Sequence, residues 1–146
     1  MYKALLQKFN YQNPLHIGVV VALFGLVIML LSSIGVAAGF IAPIFYWISS
    51  GACLLMYAVA SAAIMLSVKA DFFMYSQRSI MTFMALLIVL GLMASAFSGV
   101  SIFEAETFRS VYIILIIAAF ILQSIGLFIK RVVIWLDEEE ESVRRK

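Results

Sequence analysis

From Ser110 to Ile129, between Arg109 and the basic pair Lys130 and Arg131, the chain runs without a charged side chain. As a helix rising about 1.5 Å per residue, about 20 such residues match the roughly 30 Å of hydrocarbon in a bilayer. The run therefore reads as one transmembrane helix. Its basic end marks a side, because short loops rich in Lys and Arg stay in the cytoplasm.

A second stretch adds two more spans. From Leu15 to Val68 there is no Asp, Glu, Lys or Arg, and His16 is the only titratable exception apart from Cys53 and the tyrosines. That is too long for a single span, and Gly35, Gly39 and Pro43 mark the break. The spans are placed near 15–37, 44–68, 80–98 and 110–130, which predicts an all-α, integral membrane four-helix bundle. Composition agrees: 65% of residues are hydrophobic and 12% charged, against about half and about a quarter in soluble domains. Lipid is the expected solvent. With ten basic and eight acidic residues, the net charge gives no reason to expect a nucleic-acid partner.

Local signals place the ends. Tyr2, Leu5, Leu6 and Phe9 recur at helical spacing and suggest a short interfacial helix in residues 1–13. Asn13-Pro14 reads as an N-cap and a proline in the first turn. Pro43 suits the start of the second helix, and Tyr46 and Trp47 are expected at the membrane interface, where amphipathic rings prefer to sit. Lys69 to Ser79 reads as a polar link, with Ser76 or Ser79 capping the third span. Gly99 suits the left-handed turn that closes that span. Ser101 and Glu104 fit the Ser-x-x-Glu capping box ahead of the fourth helix. If that helix runs unbroken to Leu136, it is longer than the hydrocarbon is thick and must tilt or protrude. Residues 137–146 form a charged tail, in which Glu140 with Arg144 and Glu141 with Arg145 have the order that favours a helix.

Of the ten Lys and Arg residues, only Arg109 falls on the far side of this arrangement. Both termini are thus predicted cytoplasmic, and the expected location is a bacterial cytoplasmic (inner) membrane.

Few residues inside the spans carry chemistry. Gln123 is the one amide within the proposed hydrocarbon zone, and lipid cannot satisfy its hydrogen-bonding sites, so it should face another helix, another subunit or water. Gly91, Ser95 and Gly99 recur every four residues on the third helix, and Gly18, Ala22 and Gly25 make a similar strip on the first. Small residues let backbones approach, and that packing drives association in lipid. Both strips are candidate helix-packing or partner interfaces. The single cysteine, Cys53, excludes an intrachain disulfide or a CxxC pair. His16 is the one histidine, with no acidic residue at its depth to complete a metal site or proton relay. The methionines at 56, 65, 74, 81, 84 and 93 read as packing. No catalytic residues, cofactor or metal are expected, since there is no nucleophile with a base, no metal set and no paired acids.

In size and span count the chain resembles the small multidrug transporters in outline. Their substrate site needs a membrane-embedded glutamate in the first helix, and none lies between Leu15 and Val68, which counts against proton-coupled transport. The expectation is a non-enzymatic accessory or scaffold subunit that binds a larger membrane protein through helix contacts. The alternative is a homo-oligomeric channel or transporter for a small solute or ion, its pathway formed between subunits and lined by serines and Gln123.

Overall fold

Residues 13–67, 72–101, 103–104 and 106–144 are described by the computed structural model. They form α1 (Pro14–Ala37), α2 (Phe45–Ser67), α3 (Phe72–Ser98) and α4 (Glu106–Arg144). All four helices are long and apolar enough to cross a membrane. The all-helical, four-helix architecture is the one adopted. The segment around Tyr2 to Phe9, together with Lys69, Asp71, Arg145 and Lys146, lies outside the described residues.

The helix ends follow from local chemistry. The Asn13 side chain accepts a hydrogen bond from the Leu15 N–H at 3.2 Å, and Pro14 fills the first turn, where a missing N–H costs nothing. α1 and α3 both stop at glycines with positive φ, Gly39 at 77° and Gly99 at 70°. Only glycine enters that left-handed region without strain. At the start of α4, Glu104 accepts from the Ser101 N–H at 3.2 Å, and its own N–H donates to Ser101 O at 3.1 Å. The capping box therefore closes a turn just ahead of α4 rather than capping its first residue.

The chain runs up and down four times. One end of the bundle carries the starts of α1 and α3 and the end of α2, and is called here the terminal end. The other carries the α1–α2 and α3–α4 connections and is the two-loop end. α2 is the hub: it packs on α1, α3 and α4, whereas α3 meets α4 sparingly and α1 does not touch α4. Accordingly α2 buries the largest share of its surface. α1 lies close on α3 because its buried stripe contains Gly18 and Gly25. A β-carbon on Gly18 would overlap Thr82 Cγ2, and one on Gly25 would stand 2.9 Å from Leu90 Cδ2. Ala22, between them, is half-buried.

Two expectations need correction. α3 starts at Phe72, not near Ile80, so Ser76 and Ser79 lie inside the helix and cap nothing; both are buried. Tyr46 and Trp47 are each only 2% exposed and belong to the packed interior, not to a lipid-facing belt. α4 is 39 residues long and runs unbroken past Leu136, and in its charged last turns Arg144 pairs with Glu140 at 2.8 Å, the i,i+4 order that favours a helix.

Candidate functional site

α4 turns one face inward through Tyr112, Ala119, Gln123 and Gly126, all buried and spaced by seven, four and three, the period of a single helical stripe. At Gly126 a β-carbon would overlap Met65 Cε of α2, so the missing side chain lets α4 approach α2 closely. One turn away, Gln123 is drawn between α2 and α3 and is 5% exposed.

There its amide is almost fully satisfied. Nε2 donates to Ser61 Oγ of α2 at 3.0 Å and to Ser79 Oγ of α3 at 3.0 Å. Ser76 Oγ of α3 donates to Oε1 at 3.3 Å. Three of the four hydrogen-bonding sites of the amide are used. Ser61 can accept because its own proton goes to Ala58 O at 3.1 Å. Tyr57 of α2 adds a further tie, its hydroxyl donating to Ser79 O at 3.2 Å. At roughly 0.6 kcal/mol per interhelical bond in lipid, the three Gln123 bonds together contribute about 2 kcal/mol. The cavity beside them measures about 10 Å³, room for about one water and no solute. The α2 end is tied separately, by Lys130 Nζ donating to Leu66 O at 2.9 Å, a cation on the negative terminus of a helix.

The two-loop end is built from rings. Trp47 stacks on Phe108 at 6.3 Å between centroids and 27° between planes, and meets Tyr112 edge-on at 5.8 Å. Tyr46 stacks on Phe97 at 5.6 Å. Trp47 Nε1 donates to Ser98 Oγ at 3.1 Å, and the hydroxyls of Ser50 and Tyr112 are hydrogen-bonded to each other. Two recesses open beside these rings. One, of about 400 Å³, is walled by Trp47, Phe108, Pro43, Thr107 and Glu104. The other, of about 320 Å³, is the cleft between α3 and α4, with Gly91, Ser95 and Leu92 on one side and Tyr112 and Phe103 on the other.

The small-residue strip of α3 thus divides. Gly91 and Ser95 line the cleft, and a β-carbon on Gly91 would find Tyr112 Cε1 at 3.9 Å, an ordinary contact. Gly99 has nothing within 4 Å of that position and serves to end the helix. Within the chain this strip makes no close backbone approach, in contrast to Gly18 and Gly25. His16 is half-buried in the first turn of α1 and Cys53 is buried in the core. Among the described residues no group of three or more His, Cys, Asp or Glu gathers as a metal site would require. The methionines scatter: Met65 is fully buried, while Met74 and Met81 are 52% and 70% exposed.

Sequence reasoning missed Gly126, Tyr57 and the serine partners of Gln123. For Gly126 the signal was there, three residues past Gln123 on the same face. Comparison with known proteins finds no matching protein family, no matching curated protein and no matching solved structure.

Proposed function

We propose that this chain is a multi-pass membrane subunit that holds a helix of a larger membrane protein in the cleft between α3 and α4. Both termini face the cytoplasm, a reading supported by the position of Arg109 as the only one of ten Lys and Arg residues on the opposite side. The observation that carries the proposal is the cleft itself. Two neighbouring helices stay apart there, and the gap of about 320 Å³ is lined by Gly91 and Ser95 together with larger side chains such as Leu87, Leu92, Phe103 and Tyr112. In lipid, helices associate by close packing and not by escape from water, so an unfilled apolar gap between helices is the kind of surface a further helix fills. The strongest polar groups within the bundle support this reading over a solute pathway, because Gln123, Ser61, Ser76 and Ser79 are bonded to one another and leave little to line a wet route.

Mild-detergent purification tests it with two forms, the unmodified chain and Gly91→Leu. The unmodified chain brings down a stoichiometric larger membrane protein; the variant folds with an unchanged midpoint, since the space inside the chain is free, and loses the partner. A closed homo-oligomer in place of a partner favours the channel reading instead. Reporter fusions after Gly39 and after Lys146 are expected on opposite sides of the membrane.

A further inference from the structure

A furrow of about 330 Å³ runs between α1 and α3, with Leu15, Val19 and Ala22 on one bank and Met81, Ala85 and Val89 on the other. We infer that it seats one acyl chain of an anionic phospholipid whose phosphate is held by Arg78 at the furrow's mouth. The inference rests on the membrane-spanning reading of the bundle and not on what fills the α3–α4 cleft. The floor is the close contact of Gly18 with Thr82 and Leu86, and the short side chains of Ala22 and Ala85 leave the space above it open. Leu15, Val19, Met81 and Val89 are exposed, so the furrow faces lipid. Thr82 is the one polar side chain in the lining, and its hydroxyl donates back to Arg78 O at 2.9 Å. The surface left is one that hydrocarbon fits.

Register places the charge. Gly18 meets Thr82 and Gly25 meets Leu90, so α1 and α3 run parallel and Arg78 stands level with Pro14. Arg78, Thr82, Ala85 and Val89 are spaced by four, three and four, one stripe of a helix, and a helical side chain leans toward the N-terminus, here outward from the furrow. From Arg78 to Val89 the helix rises about 16 Å, close to the roughly 15 Å of hydrocarbon in one leaflet. A partner helix crosses both leaflets and needs twice that length, whereas a lipid chain needs one.

The mouth is positive. Arg78 is exposed, and the one ion pair among the described residues is Arg144 with Glu140. In sequence, Lys69 to Arg78 holds two basic residues and one acidic residue, Asp71, for a net +1. α1 and α3 both begin at this end, with positive poles, and the α2 terminus there has Leu66 O bonded by Lys130. His16 stands in the first turn of α1, and Arg131 lies at the same end on α4, whose acidic run starts only at Asp137, about 9 Å beyond Arg131. A guanidinium matches a phosphate bidentately. A zwitterionic headgroup brings its own cation to this mouth, so an anionic lipid is favoured.

Electron paramagnetic resonance tests this on the full chain in phosphatidylcholine bilayers, doped in turn with phosphatidylglycerol and phosphatidylcholine that carry a nitroxide on the acyl chain. The spectra separate chains restrained against the protein from free ones and give the relative affinity of the two lipids. Phosphatidylglycerol is expected to be favoured, and Arg78→Gln to reduce that preference about fivefold, the usual worth of one basic side chain at a membrane surface. Ala85→Leu fills the furrow from an exposed position and should remove the preference with Arg78 still in place. Arg131→Gln, on a helix that does not touch α1, should change it least. Equal affinities in the unmodified chain, or equal losses in Arg78→Gln and Arg131→Gln, reduce the effect to an ordinary lipid shell and overturn the site. A preference unchanged in Ala85→Leu overturns it as well. Restraint of neither lipid, together with a dimer that Ala85→Leu dissociates, gives the furrow to a second copy of the chain instead. Arg78 and Arg131 are both exposed, so the deciding comparison uses variants that leave the packed interior alone.

Discussion

Around Gln123 the bundle is held by hydrogen bonds between short side chains and is closed; around Trp47 it is held by stacked rings and is open on two sides. The difference follows from size and direction. Serines bring backbones together and bond along fixed lines, so three helices converge on one amide and leave a cavity of only about 10 Å³. Indole and phenyl rings are rigid plates that meet at angles from 27° to 73°, and plates at mixed angles hold their helices apart. The closed half leaves no room for a further group, and the open half does. The glycine C-caps at Gly39 and Gly99 and the capping box lie near the open half, because two of the helix connections are made there.

Substitutions can break or sharpen this contrast. The largest effect is expected from Trp47→Ala, which removes the ring shared by Phe108, Tyr112 and the Ser98 bond; truncating a buried aromatic of this kind costs about 3 kcal/mol or more, read as a lowered midpoint in detergent unfolding. Gln123→Glu comes next, at about 2 to 3 kcal/mol, because a carboxylate inside a membrane span is costly and the Nε2 donors to Ser61 and Ser79 are lost. Gln123→Leu should cost about 2 kcal/mol, the three bonds at their usual worth in lipid. If it costs nothing, the closed half owes its order to packing alone and the contrast fails. Gly25→Leu, on the α1–α3 contact, should cost about 1 to 3 kcal/mol by overpacking, whereas Gly91→Leu should leave the midpoint unmoved. A small effect of the opposite sign is assigned to Tyr75→Phe. The Tyr75 hydroxyl is buried with no hydrogen-bond partner among the described residues, so its removal should be neutral or stabilising by up to about 1 kcal/mol.

Much of the fold was legible because charge-free runs report span number directly, and each cap near Asn13, Gly39 and Gly99 is a local event. The start of α3 was not legible. Ser76 and Ser79 read as part of a polar link only while their partner is unknown, and that partner, Gln123, lies 47 and 44 residues further along the chain. Trp47 and Tyr46 were misread for the same reason: an aromatic near a span end fits an interface until Phe97, Phe108 and Tyr112 arrive from two other helices. Gln123 itself was readable, since an amide in hydrocarbon must find partners, but which helices supply them is decided by contacts distant in sequence.

The length of α4 has a mechanical consequence. At about 1.5 Å per residue, its 39 residues span about 58 Å as one rod, with Phe108 at one end and Asp137 to Arg144 at the other. The tie at Gln123 lies partway along, near the Lys130 bond to Leu66, and acts as a fulcrum. Gln123 lies 17 residues from the first and 21 from the last residue of the helix, so a swing of about 5° about it carries the Arg144 end through about 3 Å and the Glu106 end through about 2 Å the other way. Displacement at one end is therefore passed to the other at nearly equal size and opposite direction, with no hinge needed inside the helix.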